Sequence, residues 1–379
     1  MNTNPLLDLE SLGQSIWMDF LSRGTISSGQ LQRWIEEDGI SGVTSNPSIF
    51  EKAIAISDDY DEAIRDLILK GMTGEEIFRS LAVEDIQRVA DLLRPTYDRT
   101  DGRDGFVSLE VSPGLAHDTT GTIAEARELW TRVNRPNVMI KVPATSEGVL
   151  AIRGLTGEGI NINITLLFGL PRYQEVADAY ISGLEMLAAK GMPLKQVASV
   201  ASFFLSRIDT LIDPILEKKM KADNSQAGTA ERLQGQVAIA SAKVAYEIYK
   251  EIFGSERFAS LAKKGARTQK LLWASTSTKN PAYSDTKYME ALIGPDTINT
   301  VPVETLNAYR DRGHPEQTLD QEVREAYQLL DSLLSVGIDL DAVTQQLENE
   351  GVEKFITAFN RLMASLKEKA TGVHELHGR

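Results

Sequence analysis

Residues 137–168 read NVMIKVPATSEGVLAIRGLTGEGININITLLF, and two runs within them, NVMIKVP (137–143) and NINITLLF (161–168), decide the fold. Both have strand length, are rich in branched aliphatic residues and are bounded by glycine or proline. GLTGEG (154–159) matches neither GxGxxG nor GxxxxGK[ST] and reads as a turn between units. Successive side chains of a strand point to opposite faces. In NINITLLF, Asn161, Asn163 and Thr165 therefore share one face and Ile162, Ile164 and Leu166 the other. In NVMIKVP, Met139 and Lys141 oppose Val138, Ile140 and Val142.

Working outward, SIWMDF (15–20), GVTSNP (42–47) and FVSLEVS (106–112) precede this stretch. QVASVASFF (196–204), KLLWAST (270–276) and DTINTVP (296–302) follow it, making eight strand-like runs. The intervening segments, such as PRYQEVADAYISGLEMLAAKG (171–191), repeat apolar residues at three- and four-residue spacing, the mark of amphipathic helices. Strands alternating with helices imply a parallel sheet with right-handed crossovers. The expectation is an α/β chain forming a single (β/α)8 TIM barrel across residues 1–379, with additional N-terminal and C-terminal helices; a doubly wound open sheet is the alternative. A helical insertion is expected at about 48–105 and C-terminal helices at about 316–372. In the last of these, Phe355, Ile356, Phe359, Leu362, Met363 and Leu366 form an apolar stripe suited to packing on the barrel.

The chain carries 54 acidic against 40 basic residues, a formal charge of -14 that argues against a broad nucleic-acid footprint. It has no cysteine, hence no disulfide, thiolate nucleophile or Cys-ligated metal. Its four histidines are scattered, so neither a metal site nor another cofactor is expected. No signal sequence or membrane-spanning run is visible, and a cytoplasmic protein is the expectation.

Strands of a parallel barrel, buried on both faces, should be apolar throughout. Here polar residues keep step: Ser108, Glu110 and Ser112 oppose Val107, Leu109 and Val111, as Asn163 and Lys141 oppose their aliphatic neighbours. A charge facing a barrel axis loses hydration at a cost of several kcal/mol, on the order of a folding margin, unless it is paired or functional. Several of these residues, with Asp19, Asn46 and Ser275, stand late in their strands, at the end where barrel active sites are built. One reading is a buried structural network in which Glu110 or Asp19 neutralises Lys141. The other is chemistry: a desolvated lysine amine attacks a carbonyl, and the iminium so formed permits cleavage of a neighbouring C–C bond. Asp19, Glu110 and Thr165 are then candidates for proton transfer, and Asn46, Asn163 and Ser202 for holding hydroxyls.

GVTSNPSIFEKAI (42–54), VMIKVPATSEG (138–148), GININITLLF (159–168) and SVASFFLSRID (199–209) together resemble the signature segments of transaldolases, and the likeness covers nearly the whole chain. KNPAYSD (279–285) resembles a segment of a longer bacterial branch of that family. The resemblance implies a cofactor-free transferase of the pentose phosphate pathway. It would move a dihydroxyacetone unit from sedoheptulose 7-phosphate or fructose 6-phosphate to glyceraldehyde 3-phosphate or erythrose 4-phosphate. Lys141 matches the Schiff-base lysine, Asp19 the carboxylate that shuttles the proton, Glu110 the glutamate that works with a water, and Thr165 the threonine that helps hold it. Thr44, Asn46 and Asn163 match residues near the dihydroxyacetone part of the substrate, and Ser202 and Phe204 the strand-six pair. Arg207 and Ser275 match phosphate ligands. The run after Ser275, Thr276-Ser277-Thr278-Lys279-Asn280, lacks the second arginine of the common pattern, and Lys279 is the candidate in its place. A fructose-6-phosphate aldolase is the alternative activity, and a non-enzymatic barrel the remote one. Aldolase relatives tend to be shorter and to carry a tyrosine where Phe204 stands. The implied partners are sugar phosphates, without nucleic acid or membrane, in a monomer or homodimer.

Overall fold

The eight expected runs form eight parallel strands: β1 (Gln14–Met18), β2 (Ile40–Val43), β3 (Phe106–Glu110), β4 (Val138–Pro143), β5 (Ile162–Leu167), β6 (Ser199–Phe204), β7 (Lys270–Ala274) and β8 (Thr297–Val301). In the computed structural model, which describes the backbone of residues 4–222 and 225–377, they close in sequence order, β8 pairing back onto β1. The sheet is thus a closed barrel and not the open alternative. Helices stand between the strands, a short helix (Pro5–Ser11) precedes β1, and a long one (Leu340–His377) ends the chain. No helix among the described residues is long and apolar enough to cross a membrane.

Register shows which face is inward. Glu110 pairs with Lys141, and Lys141 with Asn163, across β3, β4 and β5. The Asn163 amide donates to Ser108 Oγ at 2.9 Å, reaching from β5 to β3 past the intervening strand. Only side chains inside the barrel can meet that way. The polar parity set therefore lines the axis, while Val138, Ile140, Val142, Ile162 and Ile164, all fully buried, face the surrounding helices.

The floor of the barrel is filled by Trp17, fully buried, whose indole Nε1 donates to Asp104 at 2.8 Å. Its ring lies where a side chain on Gly42 would be: a Cβ there would stand 2.3 Å from Trp17 Cδ2. Glycine in β2 is thus required by packing, not by backbone conformation.

Above the opposite end, three helices crowd the mouth. Pro47–Ile56 begins where Asn46 Oδ1 accepts from Ile49 N at 2.9 Å, with Pro47 at the first turn. Gly74–Arg99 opens on a Thr73/Glu76 capping box. The C-terminal helix lies over both, and its stripe packs inward, with Phe355, Leu362 and Leu366 buried and Ile356, Phe359 and Met363 half-buried. Phe359 meets Phe78 edge-on at 5.5 Å, and Leu362 and Leu366 each contribute about 2 kcal/mol by removal from water. It lies so close to β5 that a Cβ on Gly351 would stand 2.9 Å from Leu166 Cδ2. The preceding segment departs from expectation. Its helix begins only at Val323 (Val323–Ser332), because Leu319 packs against Gly294 and the amides of Thr318 and Leu319 both donate to Ile293 O.

Gly42→Ala should destabilise the fold by about 1–3 kcal/mol, the cost of overpacking a filled core. Urea unfolding followed by tryptophan fluorescence measures it; an unchanged midpoint would mean that the indole has room to move.

Candidate active site

Lys141 stands near the C-terminal end of β4 and is 4 % exposed. Its Nζ donates to the main-chain oxygen of Ser45 at 3.0 Å and lies 3.3 Å from Glu110 Oε2, on the next strand. Neither Glu110 oxygen has a well-aligned protein donor. Burial pushes the Glu110 carboxyl up to about 7, against the pull of the ammonium. Thr165 Oγ1, buried on β5, likewise has no protein partner.

Asp19 and Thr44 sit one residue past the ends of β1 and β2. Thr44 Oγ1 donates to Asp19 Oδ1 at 3.0 Å and meets Thr300 Oγ1 at 2.9 Å, fixing the carboxylate over the mouth. The surrounding wall raises the Asp19 pKa by desolvation, opposed chiefly by Lys141 and by the Thr44 hydroxyl. Asn46, its Oδ1 used as the helix cap, retains an Nδ2 with no protein acceptor.

These residues open onto one cavity of about 330 Å³, lined by Asp19, Thr44, Asn46, Lys141, Ser202 and Phe204, and also by Arg207, Ser275 and Lys279. Glu110, Thr165 and Asn163 stand behind that surface. Asn163 is held there by Ser108 and by Ser202 Oγ, which donates to its Oδ1 at 2.7 Å. The structure adds residues the periodicity did not reveal: Lys52, Thr300, Glu304 and Phe355 also line the cavity. Phe355 belongs to the apolar stripe, so one residue of that stripe is site wall as well as packing. No local pattern distinguishes it from its neighbours.

Arg207, at the start of the helix Ser206–Lys221, forms no ion pair with the carboxylates of its own helix, the structural reading its sequence neighbours would support. Asp209 and Asp213 are taken by other donors. The guanidinium lies 5.4 Å from the Phe204 ring centroid, and its buried Nη1 has no hydrogen-bond acceptor. Burial lowers its pKa, with Asp19 and Glu350 opposing. An incompletely satisfied cation on a cavity wall suits an anionic group. Ser275, φ 54°, follows β7 and meets Ser206 Oγ at 2.9 Å. Leu166, φ 55°, lies where β5 shifts register against β6. Such backbone in non-glycine residues costs about 1–3 kcal/mol and gathers at functional sites. Lys279 is exposed at the rim, its Nζ on Ser277 Oγ at 2.6 Å.

The fold and site define a (β/α)8 barrel with a buried lysine–carboxylate centre at its C-terminal mouth and an arginine on the cavity wall. The chain belongs to the transaldolase/fructose-6-phosphate aldolase family, whose model matches residues 16–366. It is 48% identical over 373 residues to a transaldolase of Trichodesmium erythraeum, covering 97% of this chain and 98% of that one. It is 47% identical to transaldolase 2 of Nostoc punctiforme, covering 97% and 98%. With a transaldolase of Acidothermus cellulolyticus it shares 45% identity over the full length of both chains.

Glu110 holds its proton more tightly in the folded protein than at the ordinary value of 4.5, so its contribution to stability is greatest below about 4.5 and is lost as pH rises through about 7. Glu110→Gln removes this dependence. Its unfolding free energy relative to the parent should rise by about 3 kcal/mol between roughly pH 4.5 and 8, measured by urea titration. A pH-independent difference would refute the shifted carboxyl.

Proposed function

We propose that the protein is a transaldolase in which Lys141 carries a dihydroxyacetone unit between sugar phosphates. The observation that carries this reading is the Lys141 amine, buried inside the barrel, 3.3 Å from a carboxylate whose pKa lies near neutrality, and open to the cavity that Asp19 and Arg207 share. Glu110 takes a proton from the lysine, leaving a neutral amine that adds to the ketone carbon of the donor. Loss of water, with Glu110 and a water beside Thr165 passing the proton, leaves the iminium. Asp19 then removes the proton of the C4 hydroxyl. The C3–C4 bond breaks, its electrons enter the iminium, and the aldose phosphate departs. The enamine adds to the aldehyde carbon of the acceptor, Asp19 returns its proton to the new alkoxide, and hydrolysis frees the product and the lysine.

Donor hydroxyls fit Thr44, Asn46, Asn163 and Ser202, and the phosphate fits Arg207 with Ser275 and Lys279 at the rim. Phe204 offers no hydroxyl to protonate the enamine, which favours transfer over release as free dihydroxyacetone, the fructose-6-phosphate aldolase outcome. The acidic, cysteine-free composition suits a cytoplasmic enzyme, monomeric or homodimeric, acting on small sugar phosphates and on neither nucleic acid nor membrane.

Borohydride with fructose 6-phosphate should add a reduced three-carbon fragment to the Lys141 peptide, and Lys141→Ala should abolish both labelling and turnover. Active protein that never traps an adduct contradicts the mechanism. Turnover of fructose 6-phosphate should rise by about an order of magnitude or more when erythrose 4-phosphate is supplied; equal rates without it would make the enzyme an aldolase. Arg207→Ala should raise KM for fructose 6-phosphate about 10- to 100-fold, the loss of a charged hydrogen bond, and an unchanged KM would place the phosphate elsewhere.

A further inference from the structure

The segment KNPAYSD, on which the likeness to one branch of the family rests, lies immediately beyond the cavity-lining run Ser275–Lys279. The near end of this loop is tied down: Leu205 N and Ser206 N donate to the main-chain oxygens of Ala274 and Ser275, each at 3.0 Å. Thr276 Oγ1 donates to Thr300 O at 2.9 Å. Its far end meets a buried polar cluster on the helix that carries Arg207. Tyr283 OH donates to Asp213 Oδ2 at 2.7 Å, and Gly235 N donates to the other oxygen at 2.8 Å. One helical turn nearer Arg207, Asp209 accepts from Tyr288 OH at 2.7 Å and from Ala238 N at 2.9 Å.

Lys287 locks the two halves together. Its Nζ donates to Gly235 O, lies 3.6 Å from Asp209 Oδ2 and sits 3.6 Å from the Tyr283 ring centroid. Gly235, φ +66°, leaves the space: a Cβ there would stand 2.5 Å from Tyr283 OH and 2.8 Å from Lys287 Nζ. Two buried carboxylates with every oxygen satisfied, closed by a half-buried ammonium, form a rigid network in place of a solvated loop. Both ends of the loop are thus fixed to the helix whose first turn carries Arg207.

We propose that Tyr283 and Lys287 are positioning residues for phosphate recognition, bracing the Ser275–Lys279 loop against the Arg207 helix so that Lys279 and Arg207 flank one phosphate. The inference rests on the transaldolase reading for the identity of the substrate. It does not rest on it for the anion, which inorganic phosphate can represent.

The test compares the parent with Tyr283→Phe, Asp213→Asn, Lys287→Met and Lys287→Arg, each checked for fold by circular dichroism. Tyr283→Phe and Lys287→Met should raise KM for fructose 6-phosphate about tenfold, with kcat held within about twofold. The inhibition constant of inorganic phosphate should rise in parallel, and Lys287→Arg should recover part of the loss. Borohydride labelling of Lys141 at saturating substrate should persist. A fall in kcat or melting temperature with KM and phosphate affinity unmoved would overturn the proposal, leaving a purely structural cluster. Should Lys287→Met fail to fold, the conservative Tyr283→Phe and Asp213→Asn decide alone. Failure of the parent to label would refute the Schiff-base reading while leaving the brace testable by calorimetry with inorganic phosphate.

Discussion

An ammonium and a carboxylate standing side by side on β4 and β3, both almost wholly out of water, are the constraint around which the molecule is arranged. At 3.3 Å and an effective dielectric of about 20 their attraction is about 5 kcal/mol, of the same order as the cost of removing two charges from water. The pair therefore contributes little net stability and depends on the barrel to hold it. That support comes from the filled floor at Trp17, from the aliphatic outer faces of the strands and from Ser45, whose carbonyl takes the amine's hydrogen. Burial of the pair raises the Glu110 carboxyl to about 7, so it stands close to its own titration point near neutral pH.

The mouth above this pair is built on two strained strand ends. Leu166 and Ser275 take left-handed backbone at the ends of β5 and β7, and the β5 irregularity turns that strand beneath the C-terminal helix. Gly351 lets the helix descend onto Leu166, which brings Phe355 to the cavity wall. Strain at the strand ends is offset by the apolar burial of a long helix whose stripe reaches Phe78 and, through it, Phe50. Closing the mouth and stabilising the fold are the same act.

Net charge and local charge point in opposite directions. A chain of formal charge -14 places Arg207, Lys52 and Lys279 on one cavity, and Arg207 keeps a buried donor without an acceptor although two aspartates follow within two turns of its own helix. Those aspartates are engaged by tyrosine hydroxyls and main-chain amides. Arg207 thus faces the cavity, while the aspartates of its helix belong to a separate carboxylate network.

The period-two alternation of the strands determined, without any coordinates, that Ser108, Glu110, Lys141 and Asn163 share the barrel's inner face, since a strand leaves no choice once its outer face must be aliphatic. The count of eight such runs favoured closure, with the open sheet left as the alternative that only the pairing of β8 with β1 removed. Beyond the strands this legibility stopped. Lys52 and Phe355 lie on helices far apart in the chain, and their arrival at the cavity depends on how those helices pack, which three- and four-residue periodicity does not encode. The placement of Glu110, Thr165 and Asn163 behind the cavity surface, and the clamp between KNPAYSD and the Arg207 helix, were likewise decided only by tertiary structure. Alternation specifies the direction of a side chain relative to its own strand, whereas distance between segments is set by the packing of everything between them.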